Sequence, residues 1–257
     1  MPVTRWAAAD RVTAGRLPAA MRPQPQWAAL DVYASNSDLY ADPRLVERVD
    51  YRRRFKRHRP RTPSVVLAPH GGGIEVGTSE LCLAIAGFHP GTRVPIGQTH
   101  DYWMFEGLRT ASNDELHVTS SNCDDRVART LVSGASHALG LHGCTAAAAG
   151  LEDHDRAVLV GGRDALLRGE LLTRLRRAGF HTIDAVDHPI LGGFDRANIA
   201  NRTRSRQGGQ LELTTPLRSA MFEENSRSDR RHTTTEVFWD FVHACRAALA
   251  AREALDN

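Results

Sequence analysis

Residues 64–80 read SVVLAPHGGGIEVGTSE, and the fold of the chain is decided here. Ser64–Ala68 is a short apolar run with paired valines, which predicts a buried strand ending at Pro69. His70 follows at once. Gly71, Gly72 and Gly73 then let the backbone turn tightly and approach a ligand closely. Glu75 stands five residues after the histidine, and Gly77-Thr78-Ser79 leads into an apolar run that predicts a helix over 80–86. An imidazole and a carboxylate on a glycine turn at a strand end could face one metal ion, since both are zinc-ligand types. The competing account is a strand-to-helix turn whose polar residues only cap it. The pattern is not H-E-x-x-H, so no zincin helix is present.

Outward from this stretch the chain alternates strand and helix patterns. Asp101–Leu108 and the LHVTS of 116–120 read as strands, and Asp124 or Asp125 as the cap of a helix beginning at Arg126. Ser136–Leu141 is a further strand, and it ends abruptly in His142-Gly143-Cys144, repeating the strand–histidine–glycine logic of the first site. Ala157–Val160 and Phe180–Val186 are strands around an amphipathic helix at 164–178, whose stripe is Leu166, Leu167, Leu171, Leu172 and Leu175. Gln210–Leu213 is a strand and 235–255 a closing helix. This order predicts an α/β fold, a mixed and mostly parallel open sheet flanked by helices. Ligands of such sheets bind at the carboxyl ends of strands, where His70 and His142 both fall.

Three protein ligands and one open position make a catalytic zinc site, and His70, Glu75 and His142 supply that set. Glu212 alternates with Leu211 and Leu213, so it lies on the face opposite theirs and can reach the cleft as a general base. Arg163, Arg196, Arg202, Arg204, Arg206 and Arg218 follow densely, and guanidinium forks suit carboxylate recognition. Arg202, within Asn198–Arg202, is the first choice among them. His117 is either a substrate or supporting group beside the cleft or a hydrogen-bonded core histidine. His100-Asp101 and Glu152-Asp153-His154-Asp155 have ligand-like residues in what read as solvent loops.

The chain has 257 residues, ordinary hydrophobic and charged fractions of 41% and 25%, and a net charge of +3. That suits one large domain with a proper core, and is too weak a charge to argue for nucleic acid. Residues 1–45 read as an N-terminal extension, loose around Pro18, Pro23 and Pro25, before a domain over 46–257. Four scattered cysteines without a C-x-x-C pair suggest reduced thiols, with Cys82 and Cys245 in the core. Arg5, Asp10, Arg11 and Arg16 interrupt any apolar secretion signal, and no run is long enough to span a membrane. A cytoplasmic protein is expected, with release by lysis open. The basic segment at Arg52–Arg61 reads either as a nucleic-acid patch, making the chain a phage-related binding or replication accessory protein, or as an edge strand with solvated arginines. Edge strands commonly carry such charge, which favours the second.

PHGGGIEVGTSEL, LHVTS, the LHG of 141–143, VLVGG, NIANR and GGQLEL occur in one order, and in combination the chain resembles the phage-type poly-γ-glutamate hydrolases from about Val46 to Phe241. The resemblance implies a zinc-carboxypeptidase-like fold and hydrolysis of γ-linked glutamyl amides. It implies zinc on His70, Glu75 and His142, Glu212 as the catalytic glutamate, and Asn201-Arg202 as a carboxylate-binding pair. An anionic γ-glutamyl polymer or acidic peptide is the expected substrate, and no membrane partner is expected. The chain departs from the family at 122–125 and in the 150–155 loop.

Overall fold

The structure, a computed structural model, describes residues 31–256. Seven strands form one sheet in the order β1-β3-β2-β4-β7-β5-β6. They are β1 Tyr51–Lys56, β2 Ser64–Gly72, β3 Asp101–Gly107, β4 His137–Cys144, β5 Ala157–Gly162, β6 His181–Asp184 and β7 Gly209–Thr214. The sheet is mixed and mostly parallel: only β1 against β3 and β5 against β7 run antiparallel. Helices α1 Asn36–Ala41, α2 Thr78–Ile85, α3 Arg126–Gly134, α4 Ala165–Arg177, α5 Thr215–Ala220 and α6 Glu236–Ala254 flank it.

Alternation along the strands sorts two cores. Val66, Ala68, Leu139, Leu141, Leu211 and Leu213 face α2, α4 and α6 in the larger core. Each such leucine removed from water contributes about 2 kcal/mol. Val65, Leu67, Trp103, Phe105 and Ala138 face the other way, onto α3 and the segments around Leu116 and Ile199. In α4 the stripe narrows to Leu167, Leu171 and Leu175, and Leu166 is exposed.

Two expectations change. The first strand does not stop at Pro69: β2 continues through His70 to Gly72. Its ladder with β4 ends at Leu67, and its register on β3 shifts between Ala68 and Gly71, so the missing N–H of Pro69 falls where pairing lapses. LHVTS is not a strand; short 3-10 turns at Asn113–Leu116 and Ser120–Asn122 flank an irregular His117–Thr119. The Val118 carbonyl and the Thr119 N–H are bonded to side chains instead of a neighbouring strand. The part of the extension within the described residues is packed: Leu39 of α1 is fully buried and Tyr40 stacks on Tyr51. Pro18, Pro23 and Pro25 lie outside the described residues.

The basic segment is an edge strand. Arg52 and Arg54 of β1 reach Glu106 at 2.8 and 3.3 Å, and Arg53 reaches Glu47 at 2.8 Å while lying over the Tyr40 ring. These arginines pair with the protein's own carboxylates, which leaves the nucleic-acid alternative without support. All four cysteines are buried and free. No helix among the described residues is long and apolar enough to cross a membrane.

Candidate metal centre and catalytic site

The glycine turn folds Glu75 back onto His70. The Glu75 N–H donates to the His70 carbonyl at 2.8 Å, and Ser79 Oγ accepts the Gly72 N–H at 2.9 Å, so both ends of the turn are tied. Gly72 takes φ 68°, and a Cβ there would collide with the Gly107 carbonyl oxygen of β3. Only glycine fits. The result is a contact of 2.9 Å between Glu75 Oε1 and His70 Nδ1.

From β4, His142 joins the same point. Its Nδ1 is 3.2 Å from His70 Nδ1 and 3.7 Å from Glu75 Oε2. The other Glu75 interaction, with the Gly143 N–H at 2.9 Å, fixes the carboxylate against β4. His70 Nε2 is 2.8 Å from the Val118 carbonyl. A carbonyl only accepts, so that nitrogen carries the hydrogen and Nδ1 keeps its lone pair. Ser120 Oγ lies 3.3 Å from His142 Nε2 and steadies that ring. Two nitrogens and a carboxylate converging with outer nitrogens anchored elsewhere are the donor arrangement of a metal centre. Tetrahedral zinc with bonds near 2.1 Å sets ligand atoms about 3.4 Å apart, and the observed separations bracket that.

A second grouping overlaps the first. Donor atoms of His70, Glu75 and His117 also lie within 4.8 Å of one another. The His117 ring is 3.9 Å from that of His70, centroid to centroid. Its Nδ1, however, is held by Asp31 at 2.6 Å, so only Nε2 could serve.

Glu212 and His142 are register partners in the parallel β4/β7 ladder and share a sheet face. Glu212 is 6% exposed, and Gln210 Nε2 donates to its Oε1 at 2.9 Å. Burial, with the nearby Glu75 charge, pushes its carboxyl up to about 8 against the pull of His142. Burial, with His117 nearby, pushes His70 down to about 4 against the pull of Glu75. Burial lowers His142 too, but the Glu212 and Glu75 carboxylates more than reverse this. Burial alone would raise Glu75, yet the two imidazoles hold it well below the carboxylate range. Opposed acid and base environments in one buried cluster mark functional sites.

The remaining expected residues are placed differently. Asn201 is buried; its Nδ2 donates to the Gly193 and Asp195 carbonyls at 2.8 Å and its Oδ1 accepts the Gly208 N–H at 3.1 Å. Its amide is committed to hydrogen bonds within the loop. Arg202 donates to the Ala197 carbonyl at 2.8 Å and lines a neighbouring cleft. Arg218 is buried, donating to the Leu213, Val76 and Cys144 carbonyls, and a Cβ on Gly143 would strike its guanidinium. His100-Asp101 is no solvent loop: both residues are buried, and Asp101 holds His58 at 2.8 Å. Sequence patterning missed Asp31, which carries no periodicity, and Ser120 and Val118, whose segment was expected to be a strand.

The sheet order, its two antiparallel pairs and the likeness to solved structures put the chain in the zinc-carboxypeptidase-like α/β class. A structure of a bacteriophage poly-gamma-glutamate hydrolase superposes with TM-score 0.74 at 30% identity, covering 88% of this chain and 99% of that one. A zinc-free apo form of YndL gives 0.73 at 30% identity over 86% and 98%. Residues 33–244 match the poly-gamma-glutamate hydrolase family, and the chain belongs to it. Relatives in Bacillus subtilis strain 168 include UPF0714 protein YndL, 32% identical over 70% of this chain, and the SPbeta prophage-derived UPF0714 protein YoqZ, 33% identical over 69%. The matches span 65% and 58% of the lengths of those two proteins.

Proposed function

We propose that the chain is a zinc-dependent hydrolase of γ-glutamyl amide bonds, acting on poly-γ-glutamate. The observation that carries this is the convergence of His70 Nδ1, His142 Nδ1 and the Glu75 carboxylate beside a buried Glu212, in a member of this family. These three residues would hold the ion. Bound there, zinc would supply Lewis-acid activation of the scissile carbonyl and of water.

The chain's own groups account for the rest. Glu212 is the base: its carboxyl is buried and pushed up to about 8, and in the deprotonated form it can take a proton from attacking water and return it to the leaving amine. Gln210 holds that carboxylate in one rotamer. His117, oriented by Asp31, presents its second nitrogen to substrate at the rim. Arg202 faces the anionic polymer, and Asn201 contributes by anchoring the loop that carries it.

Size-exclusion chromatography of poly-γ-glutamate before and after incubation tests the proposal, with α-linked polyglutamate as control. The zinc-loaded protein should shorten the γ-polymer, and chelated protein should not. An intact γ-polymer beside cleavage of another acidic amide would overturn the substrate but keep the hydrolase.

A further inference from the structure

A cleft of about 680 Å³ opens between α3 and the 196–207 loop, lined by Arg129, Arg163, Arg196, Arg202, Arg204 and Arg206. The other lining side chains are threonines, serines, Asn201 and Gln207, with neither carboxylate nor aromatic among them. Six guanidiniums crowd one concave surface without a countercharge in its wall. The arginines of β1, by contrast, are matched to acids, Glu106 and Glu47.

The cleft is built rather than accidental. Thr203 Oγ1 donates to the Gln207 carbonyl at 2.6 Å and accepts the Gln207 N–H at 3.1 Å, closing the loop that projects Arg204 and Arg206. Arg206 sits at φ 56°, a conformation unfavourable for any residue with a Cβ and maintained only where surroundings impose it. A terminal N–H of Arg163 donates to the Phe194 carbonyl at 3.2 Å, while its Nε is buried with no hydrogen-bond partner. An unmatched buried N–H of a cation is costly, and an anion seated in the cleft would match it.

The cleft also adjoins the candidate centre. Arg202 donates to the Ser121 carbonyl at 3.4 Å, and Ser120 contacts His142. A Cβ placed on Gly140 would lie 3.5 Å from Ala200 of the same loop and 3.7 Å from His142 Nε2, so this loop and His142 border one position.

We infer that this cleft is an extended subsite that grips the α-carboxylates of a γ-glutamyl chain several residues from the bond being cut. The inference rests on the hydrolase proposal and deepens it. A cavity of this size accommodates more than one glutamyl unit. The repeating substrate carboxylates meet repeated forks, each able to bind bidentately. Single-stranded nucleic acid is the less suitable polyanion, because its recognition uses aromatic stacking platforms and this wall has none. Such a grip favours long polymers over short ones.

The test is a triple variant, Arg129→Ala/Arg196→Ala/Arg206→Ala, whose residues are exposed and away from the zinc-ligand set. KM for long poly-γ-glutamate should rise about tenfold relative to KM for a short γ-glutamyl oligomer, as expected for three screened charge pairs. A second measurement needs no turnover: Glu212→Gln protein should bind labelled poly-γ-glutamate, and the triple variant on that background should bind it about tenfold more weakly. Equal polymer affinity in the two would overturn the subsite. So would tighter binding of single-stranded DNA through the same arginines. If no protein cleaves the polymer, yet binding still falls with the triple variant, the hydrolase proposal fails and the subsite stands.

Discussion

Asp31 Oδ1 lies 2.6 Å from His117 Nδ1, and Asp31 Oδ2 accepts the Thr119 N–H at 2.7 Å. One carboxylate thereby fixes a ring and the backbone two residues on. A carboxylate on Nδ1 settles the tautomer, leaving Nε2 as the acceptor. Asp31→Ala should therefore lower turnover about tenfold with zinc content retained, because a mispositioned group near the reacting bond is costly. Asp31→Asn should do less harm, since its amide oxygen can still accept. Zinc loss in proportion to activity would instead make His117 a metal ligand.

The two histidines compete for that role, and metal analysis separates them. His142→Ala should lower bound zinc sharply, with far-UV circular dichroism near native. His117→Ala should retain it. The reverse order would replace His142 by His117 in the ligand set, which the overlapping donor groups allow geometrically.

Glu212→Gln keeps the size of the side chain and one acceptor for Gln210, but cannot take a proton. Turnover should fall by about 10² or more at unchanged zinc occupancy, the usual scale of general acid–base work. Normal turnover would reduce Glu212 to a residue that shapes the strand.

What was legible in the sequence depended on locality. His70 and Glu75 share one glycine turn, His142 repeats its strand-to-glycine pattern, and Glu212 declares its face through Leu211 and Leu213. The parallel sheet then brings the strand ends together without further information. Asp31 was not legible, because its partner lies 86 residues away and the link is a pair of side-chain contacts. LHVTS has strand composition, but its backbone groups are taken by His70 and Asp31, and tertiary context outweighs propensity there. The arginine cleft gathers residues from α3, the β5–α4 turn and a loop, so composition showed the arginines but not their common surface.

Stability should have an acid limb governed by Asp164. This carboxylate caps α4 through the Leu167 N–H at 3.0 Å and binds Arg252 of α6 at 3.1 Å, with His137 at 3.7 Å and Asp256 on the far side of Arg252. Burial alone would raise its carboxyl, but the nearby His137, the Leu167 N–H and Arg252 bring it below the ordinary value. A depressed carboxylate contributes stability above its unfolded pKa of about 4, and that contribution is lost as pH falls through the lower folded value. Asp164→Asn preserves the cap but leaves Arg252 with Asp256 alone, at a cost of about 3 kcal/mol for breaking a buried pair. The melting temperature at pH 6 should drop by roughly 6–12 °C. Below pH 4 the gap between variant and parent should close, because the parent loses the same charge. A gap independent of pH between 6 and 3 would show that packing, not the ion pair, is what Asp164 provides.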